Sequence, residues 1–364
     1  MKILHIITSL RTGGAERLVV ELALRHKAAG DEVDVLLLDG TQTPLAEELA
    51  QGGITVHALG KGAGAMQNPL LLPALCRFLR KHPYDIVHSH NTSCQFLTAM
   101  VPGINRFTTE HNTSNRRRSW RWFRPVDRWM YGRYRRIVCV SEETRQNLSA
   151  WLGRPELDAR MVVIPNGIDL GRISSAQPAP ELIQDPRFKI LMVSAFRPEK
   201  DQMTLIRAMG LLPDDCLLLL AGGAELPAHK ALLDACRQEA VALELEDRVR
   251  FLGVRKDVPA LLAASDLIVL SSRHEGLSLS VLEGMASGKP LLASDVEGMR
   301  DIVGGAGCLF PCGDVQALAD TISQMRNNSY LAKIIAQRCR ERAMAFGIEE
   351  TMKKYRELYT NENQ

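Results

Sequence analysis

Residues 271–294 read SSRHEGLSLSVLEGMASGKPLLAS. Leu279, Val281, Leu282 and Met285 predict a helix beginning near Ser278. Gly288 and Pro290 end it, and Leu291–Leu292 begin a strand. Glu275 then lies in the loop that enters the helix, and Glu283 about one and a half turns inside it. A loop of small residues running into a helix leaves unpaired N–H groups and the positive end of the helix dipole, which favour an anion such as phosphate. A carboxylate repels phosphate but accepts hydrogen bonds from sugar hydroxyls. One glutamate on each side of an anion pocket therefore suits a ligand in which sugar, phosphate and sugar follow one another, as in a sugar nucleotide.

Outward from this stretch the chain alternates apolar runs with segments of helical length and period. Ile3–Thr8, Val33–Leu38, Ile54–Ala58, Ile86–Ser89, Ile137–Val140 and Val162–Ile164 form one series of expected strands. Ile190–Ser194, Leu217–Ala221, Val249–Leu252, Leu267–Leu270 and Leu291–Ala293 form a second. Such alternation predicts an α/β protein with parallel sheets and helices on both faces. The series breaks over residues 171–187, where Ser174, Ser175, Pro178, Pro180 and Pro186 predict a linker. Each side is one doubly wound unit of sensible size, and in such sheets ligands bind at the carboxyl ends of the strands.

The 364 residues fit about two domains. With 46% hydrophobic and 24% charged residues the composition is that of an ordinary globular protein, and a net charge of +3 gives no argument for nucleic acid. No apolar run approaches the ~20 residues that span a bilayer. MKILHIITSL is followed by Arg11, Gly13, Gly14 and Glu16 without a cleavage-like site, so it is read as a first buried strand and not as a signal peptide. The eight cysteines are scattered and contain no CxxC pair, so reduced thiols and a cytoplasmic location are expected.

Four further features carry chemistry. Thr12-Gly13-Gly14-Ala15-Glu16 follows the first strand as a glycine-rich turn at a helix N-terminus, suited to a phosphate or a close backbone approach; it is not GxGxxG, which argues against a nicotinamide cofactor. His88, His90 and His111 stand at strand ends, where sites form, although a lone strand-end histidine such as His88 is as a rule a structural hydrogen-bonder. Arg197 and Lys200 follow the first strand of the second series and suit a diphosphate, one as a fork and one as a point charge. The segment 116–136 holds nine arginines, Arg117, Arg121 and Arg124 among them, against the single acidic residue Asp127, together with Trp120, Trp122 and Trp129. A basic, aromatic helix of this kind suits an anionic membrane surface or a lipid-pyrophosphate acceptor; the alternative is a core-packed helix with snorkelling arginines.

The string from Glu275 to Pro290 resembles the E-x7-E element of the retaining glycosyltransferases called group 1, or family 4, which have the GT-B fold. The resemblance extends from Gly13 to Tyr359 with its motifs in family order. It implies two Rossmann-like domains facing across a cleft: an acceptor-side domain over 1–170, onto which 348–364 crosses back, and a nucleotide-sugar domain over 188–347. It implies that Glu275 contacts the donor sugar and Glu283 the ribose diol, with Gly276, Leu277 and Ser278 beside the phosphates. Gly13 and Gly14 match a Gly-Gly loop near the donor phosphates and the acceptor. His111 matches a T-x-H histidine near the donor sugar, His90 is a further lining residue, and Gly253 and Val254 fall in a base-binding turn. Lys200 matches the family lysine. Ala195 stands where the family has an arginine, so either Arg197 reaches the same phosphate from two residues on or the role is unfilled.

The implied function is retaining transfer of a sugar from a nucleotide-sugar donor, UDP before GDP, to a hydroxyl of a saccharide, expected to be lipid-linked, in surface polysaccharide biosynthesis. No side chain announces itself as a nucleophile for double displacement; the family is described by front-side attack, in which the leaving phosphate helps deprotonate the acceptor. No D-x-D pair occurs, so no metal or other cofactor is expected, and Lys200, Arg197 and the helix N-terminus would meet the charge of the leaving diphosphate. A sugar-nucleotide epimerase of the same fold, and a non-catalytic sugar-nucleotide-binding protein kept open by Ala195, are the alternatives. A peripheral location on the inner face of the cytoplasmic membrane follows from 116–136.

Overall fold

The computed structural model describes every residue except 12, 63–67, 69, 113–115, 225, 276 and 362–364, and of residue 116 the backbone alone. The chain divides into two units, Met1–Gly167 with Ile348–Gln364, and Ile168–Gly347.

The first unit is built on β1 (Lys2–Ile7), β2 (Glu32–Leu37), β3 (Thr55–Ala58), β4 (Ile86–His90), β5 (Arg106–Glu110), β6 (Arg136–Cys139) and β7 (Met161–Val163). They form one sheet in the order β3-β2-β1-β4-β5-β6-β7, with every pairing parallel. Side chains alternate across a strand, so each strand feeds two cores. Ile3 and Ile7 join Val33, Val35 and Leu37 beneath the first helix, Gly14–Ala28, and the last, Ile348–Asn361. Leu4 and Ile6 join Leu36, Leu38 and Val87 on the opposite face, under the helix Leu71–Lys81. Ile348, Met352, Tyr355 and Tyr359 of the last helix are buried in the first of these cores.

The second unit is built on β8 (Phe188–Val193), β9 (Cys216–Ala221), β10 (Val249–Gly253), β11 (Leu267–Leu270), β12 (Leu291–Ser294) and β13 (Cys308–Phe310). Their order is β10-β9-β8-β11-β12-β13, again parallel throughout. β9, Cys-Leu-Leu-Leu-Leu-Ala, is buried along its whole length, the continuous apolar run of a strand covered on both faces.

The sequence reading needs correcting at three places. Residues 171–187 are no free linker: helices Leu170–Ser174 and Pro180–Ile183 bury Ile173, Ala179 and Leu182 in the core of the second unit. Ala179 N donates to Ala260 O at 3.0 Å. Pro180 does not break structure here; it starts a helix at a position where proline costs no hydrogen bond. β5 is expected from the sequence only as a strand end before His111, without bounds, because Arg-Phe-Thr-Thr-Glu is polar; yet every residue of it is buried. β13, three residues at a sheet edge, is also outside the expected series.

In both sheets the strand order reverses beside the first strand, between β1 and β4 and between β8 and β11. At such a point neighbouring loops leave in opposite directions and open a crevice at the carboxyl ends. Among the described residues no helix is long and apolar enough to cross a membrane.

Candidate functional site

In the second unit the loops that leave β8 and β11 at the reversal are tied together. After β8 come the turn Pro198–Lys200 and then Asp201, whose φ of 49° is left-handed. After β11 come Ser271 to Glu275. The Lys200 ammonium donates to Glu275 Oε1, and the Ser272 hydroxyl donates to the same oxygen at 2.7 Å. Arg273 N donates to Glu199 O at 2.8 Å and Arg273 Nε to Asp201 Oδ2 at 3.0 Å. Ser271 Oγ donates to Asp201 O at 2.9 Å. The Glu275 side chain is 8% exposed and that of Lys200 19%, so an ion pair sits at the crevice, shielded from water but not sealed from it.

The helix that follows, Leu279–Ala286, starts after Ser278. It lies close on the sheet because of Gly284: a Cβ there would stand 2.8 Å from Leu291 Cδ1 and 2.9 Å from Ile268 Cγ2. That contact fixes the neighbouring Glu283, half-buried one turn into the helix. Leu277 is half-buried and Ser278 buried; Gly276 lies outside the described residues.

A second cluster occupies the carboxyl ends of β8, β9 and β10. A Cβ on Gly222 would stand 1.8 Å from Ser194 O, so only glycine allows these backbones to meet. Gly222 N donates to Gly253 O at 2.8 Å. Gly253 ends β10 at a φ of +67°, and Val254, exposed, reaches over Gly223. Arg197 is exposed and has no ion-pair partner among the described residues, and Ala195 is half-buried. The structure therefore joins Lys200 to Glu275 but joins Arg197 to neither. Ser272, Asp201, Arg273 and Gly222 were missed in the sequence; only Gly222, in an Ala-Gly-Gly run ending a buried strand, had a signal there.

In the first unit Gly14 begins the first helix and Gly13 caps it in extended backbone, its carbonyl accepting from Arg17 N at 3.0 Å. Thr12 lies outside the described residues. The histidines share one face by register: His5 pairs with His88 across β1 and β4, and His90 with Thr109 across β4 and β5. His111 follows Thr109 by two residues and points the same way. His88 is held by Tyr359 Oη at 2.5 Å and Thr109 Oγ1 at 2.8 Å, the structural role expected for it. His90 Nδ1 stands 3.1 Å from His111 Nε2. Burial holds both His88 and His90 well below the ordinary imidazole range. Burial also takes His111 down to about 4, against the opposing pull of Glu110, so these rings are neutral at pH 7.

The basic segment is corrected in part. Arg117 is no membrane-facing cation: it donates to Asp127 at 2.8 Å, Thr92 Oγ1 at 2.6 Å and Tyr131 Oη at 3.3 Å, and its side chain is 8% exposed. The single carboxylate of the segment, wholly buried, draws it inward. Arg124 is half-buried, with Nη2 3.4 Å from Ala150 O. Arg121 is exposed, as are Trp129 and Val126 of the helix Arg124–Gly132 and the stacked pair Trp120 and Trp122, whose ring centres are 6.0 Å apart. Among the described residues no three histidine, cysteine, aspartate or glutamate side chains form a set that could hold a metal ion, and all eight cysteines are free thiols.

Comparison with known proteins agrees with this arrangement. Residues 12–172 match Glycosyltransferase Family 4, and residues 174–344 match Glycosyl transferases group 1. The chain is 24% identical to the Escherichia coli UDP-Gal:alpha-D-GlcNAc-diphosphoundecaprenol alpha-1,3-galactosyltransferase, covering 99% of this chain and 96% of that protein. It is 26% identical to the phosphatidyl-myo-inositol mannosyltransferase of Mycobacterium leprae, over 93% and 88% of the two. Among solved structures, Anabaena HepE in complex with UDP-glucose superposes with a TM-score of 0.87 at 23% identity, over 99% and 100% of the two chains. With both halves matched in order and two parallel α/β units in place, the chain belongs to the group 1 glycosyltransferases and has their GT-B fold.

Proposed function

We propose that the protein transfers a sugar from a nucleotide-sugar donor, a UDP-sugar ahead of a GDP-sugar as the candidate, to a hydroxyl of a lipid-linked saccharide, with retention of anomeric configuration and without a metal. The observation that carries this reading is the Lys200–Glu275 pair at the strand-order reversal of the second unit, directly before the helix that bears Glu283. A diphosphate offers Lys200 more negative charge than one carboxylate does. As Lys200 turns to it, Glu275 is released to accept hydrogen bonds from sugar hydroxyls, while Glu283 takes the ribose diol. The anomeric C–O bond breaks as charge builds on the diphosphate, and Lys200, the N–H groups that open the helix after Ser278, and Arg197 meet that charge. The acceptor hydroxyl attacks from the face of the departing phosphate, and its proton passes to a phosphate oxygen.

Support for the acceptor class comes from the galactosyltransferase and mannosyltransferase relatives, which are named for a diphosphoundecaprenol saccharide and a phosphatidylinositol. UDP is favoured by the first of these and by the UDP-glucose in the HepE structure. Exposed Trp120, Trp122, Trp129 and Arg121 fit an anionic membrane surface that carries such an acceptor, on the cytoplasmic side where nucleotide sugars are made. The test is transfer from α-linked UDP-sugars to undecaprenyl-diphosphate saccharides in EDTA, with the anomeric coupling of the product read by NMR. An α product is expected. A β product, or turnover restored only by a divalent cation, contradicts the reading.

A further inference from the structure

Glu275 Oε1 accepts hydrogen bonds from two donors, the Lys200 ammonium and the Ser272 hydroxyl, while Oε2 accepts none among the described residues. The two donors are anchored on opposite sides of β11. Lys200 belongs to the loop that leaves β8, the neighbour of β11 on one side of the sheet; β12 is its neighbour on the other. Ser272 is tied to the β12 side, since the hydroxyl of Ser294, the last residue of β12, donates to Ser272 O. Both serines are wholly buried.

The two hydrogen bonds also differ in what can compete for them. The Lys200 ammonium is a point charge on a flexible four-carbon stem, and its side chain is 19% exposed. An incoming diphosphate draws on that charge. The Ser272 hydroxyl has one O–H on a short side chain, and its backbone is held by Ser294 whatever Lys200 does. Ser271 Oγ, by donating to Asp201 O at 2.9 Å, ties down the backbone next to Lys200, so that the lysine side chain can turn without moving the loop. Ligand charge that draws the ammonium away therefore leaves the Ser272–Glu275 bond in place. Without that bond Glu275 would face a diphosphate with neither of its donors, and the like charge would push it aside.

We propose that Ser272, its carbonyl held by Ser294, is the positioning residue that keeps Glu275 in place once Lys200 turns to the diphosphate. Oε1 is then the anchored oxygen and Oε2 the one presented to the sugar. The contact with sugar rests on the transferase reading above; the hold of Ser272 on Glu275 in the absence of Lys200 does not.

The test has two arms. The first is the crystal structure of Lys200→Met without nucleotide. Glu275 Oε1 should remain within hydrogen-bond distance of Ser272 Oγ; a carboxylate that swings away from Ser272 when the ammonium is gone overturns the proposal, whether or not any nucleotide binds. The second is calorimetric titration of wild type and Ser272→Ala with UDP, and with whichever of UDP-glucose and UDP-galactose the wild type binds tighter. Ser272→Ala should hold UDP to within about twofold of wild type and bind the UDP-sugar about tenfold more weakly, the lower end of what a hydrogen bond to a charged group contributes. An equal loss for UDP and the UDP-sugar would mean that Ser272 only supports the fold of the loop, and no loss for either would mean that it does not hold Glu275 for the sugar; each result overturns the proposal. If the wild type binds UDP but neither UDP-sugar, or binds no nucleotide, the donor reading fails while the Lys200→Met structure still decides whether Ser272 holds Glu275.

Discussion

Glu275 and Lys200 are 75 positions apart in sequence and share one hydrogen bond. Their residue types were legible: a glutamate before a helix and a lysine after a strand. Their pairing was not, because it depends on β8 and β11 being neighbours at the point where strand order reverses. The pairing has a consequence for Glu275→Gln. Lys200 is then free for phosphate and a repelling charge beside the diphosphate is gone, so UDP affinity should hold or tighten. Transfer should nonetheless fall by about 10²–10³, the usual cost of removing one group that acts on the reacting centre. Calorimetric titration and a turnover assay on the same preparation separate the two effects. Gly222 supplies a second residue-scale outcome. Alanine there would meet Ser194 O, and the backbones of β8 and β9 would have to part. We expect Gly222→Ala to cost ~2 kcal/mol or more in urea unfolding and to weaken nucleotide binding with it.

At the scale of elements, the segment from Arg117 to Gly132 shows where a sequence reading stops. Its charge and aromatic content were legible, and so was the helix that Pro125 helps to start. Which arginine turned inward was not, since nine look alike along the chain and only the fold shows which one meets Asp127. Arg117→Ala leaves that buried carboxylate without its ion pair, and we expect a loss of ~3–5 kcal/mol. Arg121→Ala should change stability by less than ~0.5 kcal/mol. On vesicles containing anionic lipid it should instead reduce partitioning about fivefold, the ~1 kcal/mol of one arginine near a charged surface. Equal vesicle binding by wild type and Arg121→Ala would remove that surface from the account. β5 teaches a related lesson. Its polar residues hid its bounds, yet they are buried because partners exist: the Arg106 guanidinium donates to the carbonyls of Ala99 and Val101, and Gln95 donates to Thr108 Oγ1 at 3.0 Å.

For the whole molecule, alternation of apolar runs with helical segments was enough to foretell two parallel α/β units, because strands covered on both faces write themselves as continuous hydrophobic runs. Five histidines of the first unit, four of them buried and His111 half-buried, could not be foreseen as a group. Burial lowers the pKa of each of His5, His26, His88, His90 and His111. Below the ordinary value near 6.5 the unfolded chain takes up protons that the folded one refuses, so stability falls as the pH drops, by ~1.4 kcal/mol per pH unit for each ring that stays neutral. The decline should begin near pH 6.5 and ease only near pH 4, where His111 begins to titrate in the fold; above pH 7 these groups contribute no slope. All four tryptophans lie in the first unit, so urea unfolding followed by their fluorescence at pH 5 and 7.5 reads this directly.

The central claim is a nucleotide-sugar site centred on Lys200 that needs no metal. Thermal unfolding with UDP in EDTA, on the wild-type protein and on Lys200→Met, tests it most directly. At 100 times its dissociation constant, UDP should stabilise the wild type by ~2.7 kcal/mol. Lys200→Met, compared with its own ligand-free state at the same concentration, should show little of this, since a lost charged hydrogen bond costs about 1.5–3 kcal/mol, roughly ten- to a hundredfold in affinity. No stabilisation of the wild type, an equal rise in both proteins, or a rise that appears only when a divalent cation replaces EDTA would contradict the account.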